Sequence, residues 1–376
     1  MKILGYDFNK KENKTEPKEF GGYESMSLTA VTDLPKIKED RTQEWVKYGD
    51  DNLYPEYLKD MFNSSPTHAA IVKTKAQMVV GEEWTFNDEY LNEKEKIEVL
   101  KIVNGIKREA YSYSLDFQLQ GAMAFEIIWS LDFSKIVGVN RLDVSKIRSG
   151  KFEDGKICEY YYKRNWSDRR EEVTEIKALD LGNRENHRQI LYVPATMVSN
   201  EYYGEPSYLP AMDWITLESQ VGVYYNSLIQ NGFNPSMVVK YYKRPANNEE
   251  RNDIVRGLKG TYGGVKKAGS VMILFSDGKE LAPDVEPIAV ANVDKQFTVI
   301  SDQITTKILT GERATTPELF GIAVPGQLGT GDFEAKLKAF SRFVINPDQK
   351  VFEDAINKIL SINGYDVQFK IKDFEF

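Results

Sequence analysis

Two stretches of helical periodicity, both longer than an ordinary globular helix, enclose a short segment that reads as strand, helix and strand. The first has clear punctuation. Ser207 can cap its amides, Pro210 is tolerated in its first turn, and Asn231-Gly232 supplies a left-handed stop. Leu217, Val221, Tyr224 and Leu228 recur between these signals as one apolar stripe. At 1.5 Å per residue, Tyr208 to Asn231 predicts a rod about 36 Å long. The second begins at Asn292 or Asp294 and stops at Gly311, with Phe297, Ile300, Ile304 and Ile308 along one side and Ser301, Thr305 and Thr306 elsewhere. Between the rods, Met237–Tyr242 reads as a strand, Asn248 caps a helix to about Lys259, and Val271–Phe275 reads as a second strand ending in the Ser276-Asp277-Gly278 turn. Two strands rarely stand alone, so the insert calls for a neighbour to complete its sheet.

After the second rod, Thr316-Pro317-Glu318-Leu319-Phe320-Gly321 predicts a one-turn helix. Val324–Asp332 is glycine-rich and lacks a core pattern, so it reads as a mobile loop feeding a helix from Phe333 to about Val344. That helix is expected to break at Asn346-Pro347. A further stripe of Val351, Ala355, Ile356, Ile359 and Leu360 runs to Asn363-Gly364, and Tyr365–Ile371 alternates as a closing strand.

Upstream, Ser65 or Thr67 starts a helix through Ala69, Ile71, Val72, Ala76 and Val79 that ends at Gly81. A second spans about Glu93 to Tyr113, with Ile97, Leu100, Ile102, Val103 and Ile106 as its apolar stripe. Met123–Trp129, Val137–Val144 and Ile157–Lys163 alternate at hairpin-like spacing, giving an α+β body.

Certain segments have a familiar order and spacing. They are Asp51-Asn52-Leu53-Tyr54-Pro55, the strands of Gly121 to Trp166 with Ile147-Arg148-Ser149-Gly150 and Asn165-Trp166, and Tyr203-Gly204-Glu205-Pro206-Ser207-Tyr208-Leu209. Asn231-Gly232-Phe233-Asn234-Pro235-Ser236, Gly269–Leu274, Asp294-Lys295-Gln296-Phe297 and Thr316–Gly321 follow in turn. Taken together over roughly residues 45–372, they resemble the portal proteins of tailed bacteriophages, in the family with the HK97-like portal fold.

The resemblance implies an α+β portal-type fold. Residues 1–40 would be a flexible N-terminal arm, 41–205 an α/β wing, 206–232 and 292–321 two stem helices, 233–291 an inserted clip, and 322–335 a tunnel loop. Residues 336–376 would return to the wing, with the crown short or absent. The family's members assemble as a ring, typically a dodecamer, at one capsid vertex, so the implied location is the virion, and the host cytoplasm during assembly. Double-stranded DNA would pass through the ring, terminase and the head–tail connector or adaptor would dock on it, and the major capsid protein would surround it. The family performs no catalysis and uses no cofactor or metal. Carried onto this chain, the tunnel loop places Gly326, Gln327, Gly329, Thr330, Gly331 and Asp332 nearest DNA, with Lys336 and Lys338 after it as candidates for basic rings. Lys243, Arg244, Lys266 and Lys267 become the partner contacts of the clip. Another ring-forming virion protein, a connector or capsid-associated subunit, is the alternative.

Composition is compatible with this and excludes other classes. The 376 residues are 41% hydrophobic, enough for a sizeable core. Nothing approaches a run of about 18 apolar residues, and Met1–Gly5 is not followed by a signal-peptide core, so neither membrane insertion nor export is expected. The single cysteine, Cys158, rules out an internal disulfide, and with only His68 and His187 beside it a zinc enzyme is not expected. A net charge of −8 argues against a protein that grips DNA over its whole surface, since that requires lysine and arginine. An acidic wall would repel the phosphate backbone and let it slide. The exception lies from Lys240 to Lys267, where eight basic residues face three acidic ones, either as a solvated face or as a site for DNA or an acidic partner.

Three local features invite a chemical reading. Tyr48-Gly49-Asp50-Asp51 matches the metal-binding hairpin of many RNA polymerases, in which two carboxylates hold magnesium for nucleotidyl transfer. Its flanks lack a hairpin pattern, so a surface turn is expected. Glu126 and Tyr160-Tyr161-Tyr162 are expected on the solvent face of alternating strands, and His68 is expected to cap or pack. Gly260–Lys267 lies between a helix and a strand, the reverse of a phosphate-binding loop, and reads as a turn.

Overall fold

The strand expected at Met123–Trp129 extends over Ala122–Trp129 (β1) and is buried on both faces. Such a strand belongs mid-sheet beneath a covering layer. In the computed structural model it lies second in a six-stranded sheet, between β2 (Ile136–Arg141) and β6 (Arg188–Pro194). The sheet continues through β5 (Thr174–Ala178) and β4 (Glu159–Tyr162) to β3 (Ile147–Ser149) at its far edge. β5 and β6 are parallel, and the other neighbours are antiparallel. The structure describes residues 2–3, 6–7, 35–182, 184, 186–230, 237–241, 249–250, 252–254, 271–275, 293–314, 317–322 and 333–372.

The helices are α1 (Tyr54–Ser64), α2 (Pro66–Val80), α3 (Glu93–Lys107), α4 (Ala110–Gln120), α5 (Met212–Gln230), α6 (Val293–Gly311), α7 (Phe333–Phe340) and α8 (Asn346–Ile362). The chain divides into one unit of residues 1–215 and 306–376 and a second of residues 216–305.

In the first unit, α4 and α8 cover the sheet. Phe125 of β1 stacks on Tyr113 of α4 with ring centroids 4.4 Å apart, and Phe352 of α8 lies 6.2 Å from Phe125. The closing strand, Phe369–Lys372, pairs antiparallel with Glu83–Phe86, and Trp84 meets Phe352 and Phe369 edge-on. The far ends of the sequence therefore complete one core. On the other side of the sheet Ala122, Ala124, Leu142, Val144, Ile147, Tyr160, Ile176 and Ile190 form a second buried cluster.

Four expectations are corrected here. The helix expected from Glu93 to Tyr113 is two helices, α3 and α4, separated at Arg108-Glu109. Asn92 and Glu95 form a reciprocal capping box at the start of α3. Its expected stripe is also too broad: Val99, Ile102, Val103 and Ile106 are buried, whereas Ile97 is 67% and Leu100 43% exposed. α3 packs at the sheet edge against β2, so one face is covered and the rest looks outward. Second, Asn346-Pro347 does not break the helix. A π-helical turn, Ser341–Ile345, joins α7 to α8 and leaves Pro347 in the first turn of α8, where a missing N–H is tolerated. Third, Glu126 is buried, ion-paired with Arg188 and hydrogen-bonded by Asn140 Nδ2 at 2.9 Å. Fourth, Tyr160 and Tyr161 are buried because Tyr192 and Trp45 pack against them.

The second unit contains most of α5 and α6 and a parallel pair, Met237–Tyr241 with Val271–Phe275. Parallel pairing demands a crossover between the strands, and residues 249–250 and 252–254 are helical within it. Each long helix has 19 residues, about 28 Å, shorter than the 36 Å predicted for the first because Leu209–Ala211 forms a 3₁₀ turn ahead of it. Ile215, Ile304 and Ile308 are buried, but Val223, Val299 and Ile300 are exposed by 42%, 56% and 37%.

Candidate functional site

Most of the residues expected to meet DNA or partners, namely Gly326, Gln327, Gly329, Thr330, Gly331, Asp332, Lys243, Arg244, Lys266 and Lys267, lie outside the described residues. Lys336 and Lys338 are on α7 and exposed, with Lys338 ion-paired to Glu334 one turn earlier. Two positions apart on a helix, they point to different sides and do not present one cationic surface.

What the structure does describe is how the chain is held on both sides of residues 323–332. α6 ends at Gly311, where the sequence places its stop. The left-handed residue is Arg313, at φ 59°. Ala314 N–H donates to the Leu309 carbonyl at 2.8 Å and Arg313 N–H to that of Thr310 at 3.0 Å, the two bonds of a Schellman cap. Arginine is a costly choice where glycine is usual. Its guanidinium Nη2 donates to the carbonyl of Phe343 at 2.9 Å. That carbonyl lies four residues before Pro347, which has no N–H to offer it. One side chain thus ties the end of α6 to the π-turn. The chain then makes a 3₁₀ turn, Pro317–Phe320, closed by Gly321 at φ 70°, and Phe320 packs edge-on against Phe340 at 5.6 Å.

Glu312, the residue before Arg313, is fully buried. Lys75 Nζ on α2 donates to its Oε2 at 2.7 Å, and His68 Nδ1 to its Oε1 at 2.6 Å. Burial pushes the Glu312 carboxyl up, but the Lys75 ammonium and the His68 bond outweigh it and hold it below the usual carboxylate range. Tyr208 closes the cluster, its ring 4.3 Å from His68 and its hydroxyl donating to the Leu119 carbonyl at 2.7 Å. His68, expected to cap or pack, has its backbone N–H capped by Ser65 Oγ at 3.3 Å and its ring in this ion cluster. Nothing in the sequence marked Glu312. A carboxylate beyond a helix end is ordinarily solvated, and only the α2 partners make it a core residue.

A cleft of about 990 Å³ adjoins this junction, lined among others by Phe117, Pro194, Val198, Pro206, Arg313 and Asp348. Its walls are largely apolar. Burial raises the Asp348 carboxyl, against the bond it accepts from Gln118 Nε2 at 2.7 Å.

The Tyr48–Asp51 tetrapeptide is a turn with Gly49 at φ 88° and Asn52 at φ 64°. Asp50 and Asp51 are exposed, and Asp51 Oδ1 accepts the Leu53 N–H at 3.0 Å, an Asx turn. The turn is shaped from inside by Arg148, fully buried, whose Nε donates to Asn52 Oδ1 and Nη2 to Asn52 O, both at 2.7 Å. Trp166 lies against the guanidinium at 4.7 Å. Arg148, Asn52 and Trp166 thus form one packing unit, which assigns three of the resembling segments a structural role. Among the described residues no group of three His, Cys, Asp or Glu side chains is placed to hold a metal ion.

No sequence profile of a known protein family matches the chain, and no curated protein matches it. Solved structures do. The chain is similar to one in "Neck of empty GTA particle computed with C6 symmetry", with a TM-score of 0.57 and 16% identity over 85% of this chain and 84% of that one. It is similar to another in "Neck of native GTA particle computed with C12 symmetry", with a TM-score of 0.56 and 16% identity over 84% and 82%. A third is in "Virion of native gene transfer agent (GTA) particle", with a TM-score of 0.56 and 16% identity over 84% and 83%. At this identity the likeness is one of fold, and it extends over most of both chains.

Proposed function

We propose that this chain is a structural subunit of a phage-like particle that assembles as a ring, and that within this class it serves as the portal. The observation that carries the first part is the likeness over 84–85% of the chain to components of gene transfer agent particles, two of them particle necks computed with six- and twelve-fold symmetry. Exposed apolar residues on the long helices, Val223 on α5 and Val299 and Ile300 on α6, support it, because a rotationally closed contact would bury them.

The portal reading is finer. It rests on the resembling segments and on the order of body, long helix, two-stranded insert, long helix and return helix. In it, residues 206–232 and 292–321 are the stem, 233–291 the clip and 322–335 the tunnel loop, with Lys336 and Lys338 beside the loop. DNA passes through the ring, terminase and a head–tail connector dock at the clip through Lys243, Arg244, Lys266 and Lys267, and the subunit hydrolyses nothing. A connector or capsid-associated subunit shares the ring but not terminase binding, and the likeness to particle and neck components, taken alone, supports that broader class better than the portal.

Mass measurement on the purified chain, followed by particle images down the symmetry axis, tests the proposal. A ring of about twelve copies with an axial hole wide enough for a DNA duplex, about 20 Å, supports the portal reading. A ring that does not bind terminase favours the connector. A monomer at every concentration overturns both.

A further inference from the structure

The six-stranded sheet ends differently on its two sides. On one side lies edge strand β2, with α3 packed against it. Between them is a recess of about 390 Å³, whose lining includes Lys101, Asn104, Arg108, Val137 and Asn140. The lining holds two cations and no carboxylate. Val137 is 44% exposed, and Leu100, beside Lys101 in sequence, is 43% exposed. This is also an edge of the sheet: among the described residues no further strand pairs with β2, and the Asn363 side chain bonds only the Ile136 end of it.

On the other side, β3 runs on into a two-stranded hairpin, Phe152–Glu153 with Lys156–Ile157. Its turn is Asp154-Gly155, at φ 49° and 77°, the Asp-Gly pair that a tight hairpin favours. The hairpin is braced: Phe152 packs on Tyr202 at 4.9 Å, and the Tyr202 hydroxyl donates to Glu39. Its tip carries Glu153 and Asp154 in succession, both exposed, with Lys151 and Lys156 at the stem and Phe152 37% exposed.

We infer that these two flanks are the halves of one contact between copies: the hairpin tip of one subunit enters the cationic recess between α3 and β2 of the next. Glu153 and Asp154 meet Lys101 and Arg108, and Phe152 covers the apolar surface of Val137 and Leu100. The two patches differ in shape and charge and lie at opposite edges of one sheet, so the contact is heterologous and closes into a ring only by rotation. The inference deepens the proposed ring and rests on it. It also accounts for Leu100, which the sequence pattern marks as core and the isolated chain exposes.

Charge exchange on the full chain tests it, because all four charged residues are exposed and their replacement should leave the fold intact, which the unfolding transition of each variant checks. Lys101→Glu with Arg108→Glu, and separately Glu153→Lys, should each reduce the fraction of chain in rings by roughly tenfold or more at a fixed concentration, since like charges are forced together. Combining Lys101→Glu with Glu153→Lys should restore assembly. Rings that persist in both variants overturn the inference and leave the proposed function standing. A wild-type chain that forms no ring overturns both. Loss of rings in both variants without rescue in the combination refutes this pairing of flanks.

Discussion

Lys75→Met probes the most deeply buried charge arrangement in the body. The change keeps the side-chain stem and removes the ammonium that lies 2.7 Å from Glu312 Oε2. Glu312 is then a fully buried carboxylate with His68 as its remaining bond. Removing one member of a buried ion pair costs about 3–5 kcal/mol, because the other is left without compensation. For a unit of this size, at roughly 2 °C per kcal/mol, Tm should fall by roughly 6–10 °C. The pH dependence is more discriminating. In the wild type the folded carboxyl lies below its usual range, so its contribution is fully present above the unfolded value of about 4.3 and is lost as pH falls through the folded pKa. In Lys75→Met the main lowering influence is gone and burial remains, so the folded pKa rises. The penalty is then largest above that raised pKa and shrinks as acid neutralises the group. Urea unfolding of both proteins from about pH 8 to about pH 5 should show the gap between them narrowing. Lys75→Met combined with Glu312→Leu should recover much of the loss, since replacing both charges by apolar groups is often neutral. A gap under about 1 kcal/mol at pH 8, or one that widens on acidification, would refute this account of the cluster.

Two further stability predictions concern backbone. A Cβ at Gly204 would sit 1.9 Å from the Gly121 carbonyl oxygen, so Gly204→Ala should cost at least about 3 kcal/mol in denaturant unfolding; a loss under about 1 kcal/mol would contradict it. At Arg313, alanine loses the Phe343 bond and keeps the left-handed strain, whereas glycine loses the bond and relieves the strain. Arg313→Ala should therefore be less stable than Arg313→Gly by about 1 kcal/mol, measured by Tm, and equal values would remove the strain from the argument.

Features with local causes were legible in the sequence. Ser65 caps α2 as its hydroxyl predicts, Gly81 ends it, and the alternation of Met123–Trp129 gives a strand within a residue of its bounds. Features that depend on what stands opposite were not. Ile97 and Leu100 obey the helical period, yet they lie on the side of α3 turned away from β2 and are exposed. Glu126 and Glu312 look like surface carboxylates until Arg188 and Lys75 arrive from distant parts of the chain. Pro347 signals a break that a π-turn and a borrowed guanidinium absorb. Of the candidate site, the sequence named residues around 323–332 but not the Arg313 and Glu312 fastenings beside them, because an arginine in a glycine's conformation has no pattern to read.

Those fastenings bear on how the chain can change over time. The ten residues between Ile322 and Phe333 leave from a capped 3₁₀ turn and return to a helix, and the two supports touch through Phe320 and Phe340. Because the body holds both ends, closing a longer span adds little entropic cost, about 0.6 kcal/mol per doubling of length. A short insertion in this span is therefore expected to cost the fold little, so a change in ring assembly or DNA passage that follows one would read the span's own part in the particle.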